Sequence, residues 1–232
     1  MIMRLLPATV LLMACSQEES GDLFTRGIHP AMSAVATGDG TTSVSTTLYE
    51  DRFEYVELTD GDRLVAWQDS TSRVMRESEF LNIVSYGATF DIDDEDAEFR
   101  VAFEREVDES APDSHAALPA PFELDAPRSA SRKGELVIAW TNEGRPDPMS
   151  WDLQGECVEP ASGDLPDDEG TLTLAPDTIR QRAEMGGTPV PDECTVTLHV
   201  RRRRTGTVDP AFEEGGSFAA EQSRSAMFTS TP

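Results

Sequence analysis

Cys194-Thr195-Val196-Thr197-Leu198-His199-Val200, running directly into Arg201-Arg202-Arg203-Arg204, decides the fold of this chain. Its apolar residues fall on every second position, with threonine and histidine between them. That period of two marks a strand buried on one face and wet on the other. The same grammar recurs outward from this stretch. Leu172 and Leu174 alternate with threonines, and Leu136, Ile138 and Trp140 share a face. Met149, Trp151, Leu153 and Cys157 share another register, with Gly155 between the last two. In the first half, Val84, Tyr86, Ala88, Phe90 and Ile92 oppose Ser85, Gly87, Thr89 and Asp91, while Phe99, Val101 and Phe103 oppose Arg100, Ala102 and Glu104. Asp93-Asp94-Glu95-Asp96 is expected as the tip of a hairpin between those two runs. Thr59-Asp60-Gly61-Asp62 is expected to turn a second hairpin between Phe53–Leu58 and Arg63–Gln68, because Asp-Gly supplies the left-handed backbone such turns need. One short helix is expected, over Asp177–Met185, introduced by Pro176 and stopped by Gly186-Gly187.

Many short strands separated by turn signals predict an all-β chain, read here as two small β-sandwich (Ig-like) domains in tandem. The order Trp140, Trp151, Cys157, Cys194 differs from antibody domains, which place a tryptophan between the two cysteines. The expected boundaries are domain 1 over 41–108, a proline-rich linker over 109–121, and domain 2 over 122–232.

Ahead of these lies a different kind of sequence. A basic residue, Arg4, precedes an apolar run of roughly ten residues, too short to span a bilayer as a helix and of the length of a signal-peptide core. It ends in Leu12-Met13-Ala14-Cys15, which resembles the lipobox of bacterial lipoproteins. The resemblance implies removal of residues 1–14 and attachment of a diacylglycerol at Cys15. Ser16 follows the cysteine where an aspartate commonly signals inner-membrane retention, so the expected address is the outer membrane. Residues 15–40 read as lipidated cysteine and flexible tether, given the polar run Ser16-Gln17-Glu18-Glu19-Ser20-Gly21-Asp22.

The formal charge of −25 repels nucleic acid and anionic surfaces at long range, and no nucleic-acid partner is expected. Of three cysteines, Cys157 and Cys194 remain after lipidation. Both are in phase with apolar strand positions and are bound for an oxidising compartment. A buried disulfide between them is expected.

Chemistry-bearing patterns are sparse. His29, His115 and His199 have no ligand partners at useful spacing, and Gly216-Ser217-Phe218 lacks the second glycine of a nucleophile elbow. No Gly-rich phosphate loop is present, and no cofactor or catalytic residue is assigned. Asp91, Asp93, Asp94, Glu95 and Asp96 are the one concentrated set of hard-cation ligands. The set lacks the glycine and distal glutamate of an EF-hand loop, so a solvated acidic turn is preferred to a calcium site. Asp164, Asp167, Asp168 and Glu169 form a second acidic turn of the same kind. The four arginines follow a strand, so their side chains alternate between faces, and ion pairing with local acids is preferred to a basic patch.

The C-terminal half resembles uncharacterised predicted lipoproteins of myxobacteria-like Gram-negative bacteria. The resemblance is carried by Trp140-Thr141, by Trp151-Asp152-Leu153-Gln154-Gly155-Glu156-Cys157, and by Gly170-Thr171-Leu172-Thr173-Leu174. It continues through Cys194-Thr195-Val196-Thr197-Leu198 and Arg204-Thr205-Gly206-Thr207-Val208-Asp209-Pro210-Ala211-Phe212. It implies a secreted, disulfide-bonded β protein and brings no activity. The expected function is therefore an outer-membrane-anchored lipoprotein, attached through Cys15, that serves as a non-catalytic module binding a protein or glycan or building the envelope. The alternatives are a carbohydrate-active enzyme using carboxylates and a calcium-dependent adhesin.

Overall fold

The computed structural model describes residues 17–51, 54–141, 146–165, 167–183 and 189–232. In chain order its strands are β1 (Gln17–Glu19), β2 (His29–Ala36), β3 (Thr42–Asp51), β4 (Glu54–Glu57), β5 (Arg63–Gln68) and β6 (Thr71–Val74). They continue with β7 (Arg76–Phe80), β8 (Ile83–Phe90), β9 (Glu98–Glu104), β10 (Ala111–Ala117), β11 (Leu124–Asp125) and β12 (Ser129–Ser131). The last six are β13 (Leu136–Trp140), β14 (Met149–Gly155), β15 (Val158–Leu165), β16 (Thr171–Leu174), β17 (Cys194–Thr205) and β18 (Ser217–Thr231). Among the described residues there is no α-helix. The all-β expectation holds.

Three sheets carry these strands. The largest runs β1-β4-β3-β2-β18-β17-β14-β15, with β8 and β7 added beyond β3 and β12 added to β18. Sheet β10-β9-β5-β6 accompanies its first half and sheet β11-β13-β16 its second. Two cores result. The first gathers Leu48, Val56, Leu64, Phe99, Phe103, Leu118, Phe212 and Phe218, and the second gathers Ile138, Trp151, Leu153, Leu198, Val200 and Phe228 around the Cys157 and Cys194 sulfurs.

The two cores share one ribbon. β17 and β18 pair antiparallel from Cys194↔Ser230 to Thr205↔Ala219 without interruption. Residues 217–222 of β18 also pair in parallel with β2 in the first half, while Thr229–Thr231 pair with β12 in the second. The boundaries expected from the sequence are thus corrected in three places. The expected linker holds β10, whose residues pair with β9 from Ala111↔Phe103 to Ala117↔Glu98. The expected tether holds β1 and β2. And Phe212, Phe218 and Ala220, placed by sequence in domain 2, are buried in the first core.

Both expected hairpins also dissolve into crossings between sheets. β4 pairs with β3 in the large sheet, yet β5, beyond the Asp60-Gly61 turn, pairs with β9 and β6 in the four-stranded sheet. β8 and β9 are separated in the same way by 91–97. Period-two patterning marks a half-buried strand, and both sheets of a sandwich show it equally. The helix expected over Asp177–Met185 is not formed in its described part, and Glu184 and Met185 lie outside the described residues. Asp177 takes a left-handed φ of 64°, which cannot begin a right-handed helix. The backbone instead borders β15, with Glu159 donating to the Arg180 carbonyl and Arg182 to that of Cys157, both at 2.9 Å.

The seam between the cores is polar. Arg202, wholly buried on β17, forms an ion pair with buried Asp168 and donates to the carbonyls of Ala120 (2.6 Å) and Thr141 (3.2 Å). Asp168 also accepts from the Trp140 indole at 2.7 Å, and the Arg202 guanidinium lies 5.1 Å from the Phe122 ring centre. Arg204, two residues on and on the same face, pairs with Asp147 (2.8 Å) and Asp96 (2.7 Å) and donates to the Leu118 carbonyl (3.0 Å). A second buried arginine fixes the start of the chain. Arg105 donates to the carbonyls of Ser20 and Leu23 (3.0 Å), to the Thr25 hydroxyl (3.0 Å) and to Asp62 (2.9 Å). Asp108 completes this clasp by accepting from the Thr25 amide at 2.6 Å.

Replacing Arg202 with methionine leaves Asp168 charged and buried without its partner. Removing one member of a buried pair costs about 3–5 kcal/mol, and a urea titration of Arg202→Met reads that loss directly. A change below about 1 kcal/mol, the worth of an exposed pair, contradicts a desolvated seam. Asp108 makes a second test. The Thr25 amide foremost, and Arg105 with it, hold its carboxyl below the usual aspartate range. A depressed pKa contributes stability that is present above the unfolded value and is lost as pH falls through the folded one. Amides of residues 20–28 are therefore expected to gain exchange below about pH 4, ahead of those of β17. Simultaneous opening of both segments contradicts a local clasp.

Candidate functional site

The four arginines do not form a basic patch. Arg201 pairs with Asp152, Arg202 with Asp168, Arg203 with Glu221 (3.7 Å) and Arg204 with Asp147 and Asp96. Alternation along β17 puts Arg202 and Arg204 on the interior side, where they bind the two halves together.

The acidic residues at 91–96 are dispersed. Asp91 pairs with Arg73 (3.3 Å), Asp93 accepts from the Gly40 amide (3.0 Å), and Asp96 pairs with Arg204. The Asp94 carbonyl accepts from the Ala97 amide at 3.3 Å, which closes the corner between sheets. Among the described residues, the carboxylates that approach one another within 4.8 Å as a threesome are Glu18, Glu50 and Glu54, from β1, β3 and β4. In the second acidic turn, Asp168 is consumed by the seam. His29, expected in a loop, opens β2, and His115 lies on β10; His199 lies on β17 as expected. Ser217 starts β18, a strand and not a strand-to-helix turn. Cys15 lies outside the described residues.

The concave feature of the first half was not legible in the sequence. β6 pairs with β5 in the four-stranded sheet, and after the single residue Met75 the chain continues as β7 in the large sheet. Met75 is buried at this switch, its amide donating to the Leu64 carbonyl at 2.9 Å, with the Thr46 hydroxyl 3.8 Å from its sulfur. Changing sheets here opens a groove of about 680 Å³, with Ser43 and Ser45 on β3, Arg73 on β6, Arg76 on β7, and Gly87 and Thr89 on β8. Arg73 is held in place. Its guanidinium sits 5.1 Å from the Phe90 ring centre, donates to the Thr89 carbonyl, and pairs with Asp91. Arg76 is exposed and has no acidic partner among the described residues. Ser45 faces outward, its hydroxyl 2.8 Å from that of Ser33 on β2.

This lining gathers guanidinium and hydroxyl donors over the β3 and β8 backbone at Val44 and Ala88. Its chemistry suits an anionic, hydroxyl-rich ligand. One signal was present in the sequence. Arg73 and Arg76 are two cations close together in a chain of 44 acids and 19 bases.

No family model matches the chain, and no curated protein matches it. Among solved structures it is similar to the chicken CNTN1 FN1–FN3 domains, with 7% identity, a TM-score of 0.30, and coverage of 88% of this chain and 67% of that one. It is also similar to a segment of two fibronectin type-III domains from chicken tenascin, with 10% identity, a TM-score of 0.26, and coverage of 86% and 98%. A third likeness is to titin domains A168–A170, with 6% identity, a TM-score of 0.25, and coverage of 84% and 64%. Scores this low fix neither strand topology nor function.

The expected disulfide is formed. Cys157 and Cys194 are bonded with their Cα atoms 5.7 Å apart, between the β14–β15 turn and the first residue of β17. Their separation of 37 residues implies about 4 kcal/mol of stabilisation on the loop-entropy estimate. Reduction is therefore expected to lower the melting temperature and to raise amide exchange in β14, β15 and the start of β17 before β3 or β8. An unchanged melt under full reduction contradicts that contribution.

Proposed function

We propose that this protein is an outer-membrane lipoprotein, anchored through Cys15, that acts as a non-catalytic binding module. Its ligand site is the groove between β3, β6, β7 and β8, and its ligand class is acidic glycan. The observation that carries the reading is the pair Arg73 and Arg76 at a rigid change of sheet, beside the hydroxyls of Ser43, Ser45 and Thr89. Arginine forks recognise carboxylates by paired hydrogen bonds, and serine and threonine match sugar hydroxyls. The net charge of −25 would repel any polyanion at long range, so a cationic groove is the place where one can be held. Loops and notches on a rigid β frame commonly carry binding in this way.

Two measurements test the two parts separately. Cys15→Ser is expected to leave the protein unprocessed or released from the outer-membrane fraction. Maturation at the same position with unchanged partition contradicts the anchor. For the groove, titration calorimetry with a uronic-acid oligosaccharide is expected to show saturable, salt-sensitive binding that weakens about tenfold or more in Arg76→Ala. That factor corresponds to about 1.4 kcal/mol, near the lower end of the about 1.5–3 kcal/mol of a hydrogen bond to a charged group. Equal affinity in the variant, or no binding by the unaltered protein, removes acidic glycan as the ligand.

A further inference from the structure

The hairpin of β7 and β8 carries its apolar residues at its tip, in solvent. Phe80 is 73% exposed, Leu81 79% and Ile83 40%, while Val84 and Tyr86 behind them are buried. The turn itself is costly. Leu81 and Asn82 both adopt left-handed backbone, with φ of 51° and 63°. Asparagine tolerates that conformation, and asparagine or glycine is the usual choice at both positions of such a turn. Leucine is a poor choice for turn geometry, so its presence places an apolar side chain at the outermost point of the hairpin at the expense of backbone strain. Alternation puts Phe80 and its partner Ile83 on one face, while Glu77 and Glu79 share the other with Tyr86 and Val84. The Tyr86 hydroxyl lies 3.4 Å from Glu77. The acids on β7 thus point away from Phe80 and Ile83.

Strand register locates this tip relative to the start of the chain. Thr46 on β3 is level with Tyr86 on β8. Three residues further along each strand, about 10 Å at the β rise, come Tyr49 and Ile83. Tyr49 is paired with Tyr55 on β4, and Tyr55 with Gln17 on β1. The Leu58 amide donates to the Tyr86 hydroxyl at 2.8 Å, which ties the far end of β4 to the same level of β8. Gln17 and the apolar tip therefore lie at one end of the sandwich. β1 begins at that end and runs away from it.

Cys15 precedes Gln17 by two residues, which reach at most about 7 Å when extended. The Arg105 clasp holds the backbone of Ser20 and Leu23, so the slack expected of a tether is missing from residues 17–25. A lipid on Cys15 would bring this end of the sandwich against the bilayer. We infer that Phe80, Leu81 and Ile83 form a finger that enters the interfacial zone of the membrane, giving the lipid anchor a second point of attachment. Two points fix orientation where one acyl-linked residue leaves it free. The ligand groove then stands about 13 Å further from the bilayer, four residues along β8 from Ile83 to Gly87. This inference rests on the anchoring reading, because the lipid is what selects a bilayer and not another apolar surface.

The test uses the full chain, expressed with its own N-terminus, extracted in detergent and reconstituted into zwitterionic phosphatidylethanolamine–phosphatidylcholine vesicles with or without brominated acyl chains. In Phe80→Trp the added tryptophan is expected to emit at shorter wavelength and to be quenched by brominated lipid. In Met227→Trp, exposed on β18 beside Thr197, it is expected to be unaffected. Adding Leu81→Asn to Phe80→Trp should preserve or raise the melting temperature, since asparagine relieves the turn, and should weaken the quenching. The mass of the N-terminal peptide, measured on the same sample, reports lipid on Cys15. Absence of quenching in lipidated Phe80→Trp protein overturns the finger and leaves the anchor standing. A peptide without lipid overturns the anchoring reading, and quenching in that sample still decides whether the tip enters a bilayer. A blue shift that depends on protein concentration in vesicle-free solution, with a doubled mass by light scattering, shows a second copy covering the tip and overturns the membrane assignment.

Discussion

A charged group with no access to water sits where the two halves of this molecule meet. Arg202 and Asp168 are both fully withdrawn from solvent, and desolvating such a pair is costly unless every side of it finds a partner. Asp168 also takes the Trp140 indole, while Arg202 takes the main-chain carbonyls of Ala120 and Thr141. These partners come from segments distant in sequence, and they satisfy the pair only in one mutual arrangement. Apolar packing alone tolerates sliding; a forked guanidinium with defined acceptors does not. Among the described residues, however, the Arg202 Nε has no hydrogen-bond partner, and neither does Oε1 of Gln222, the residue opposite Arg202 on β18.

That constraint coincides with the ribbon of β17 and β18, whose backbone pairing continues through the seam. Two sandwiches joined by a linker flex about it. Two sandwiches that share a pair of strands bend only by breaking ladder hydrogen bonds. The proline-bearing segment after residue 109, which looks like a hinge in one dimension, is held as β10 against β9 and by Arg204 against the Leu118 carbonyl. The N-terminal segment is stiffened by the same device. Buried Arg105 collects carbonyls and a hydroxyl from residues 20–25 and turns a polar, acidic run into part of the first half.

Arginine therefore plays opposite parts in this acidic chain. Arg105 and Arg202 have their side chains buried, and Arg204 is partly so; all three organise carbonyls and carboxylates into internal fastenings. Arg73 and Arg76 lie in a notch produced by the change of sheet at Met75, where one is fixed on Phe90 and the other meets no acid among the described residues. The difference is set by what surrounds each residue and not by its neighbours in sequence. The run of four arginines is neutralised partner by partner, as the ion-pairing reading of the sequence expected.

Alternation in the sequence determined the strands and their buried faces. Leu136, Ile138 and Trp140, or Cys194, Val196, Leu198 and Val200, are buried as their spacing requires, because period two is a property of the extended backbone itself. The phase of Cys157 and Cys194 likewise announced a buried bond. What the sequence could not express was which strands meet. β4 and β5, or β8 and β9, read as hairpins because a local pattern cannot say that the chain is leaving one sheet for the other. His29–Ala36 read as tether because a strand of small residues shows little hydrophobic contrast, and only its position between β3 and β18 makes it central. The groove and the seam belong to the same class. Each is assembled from residues that pairing between distant strands brings together, and such pairing is decided by burial and register across the whole molecule.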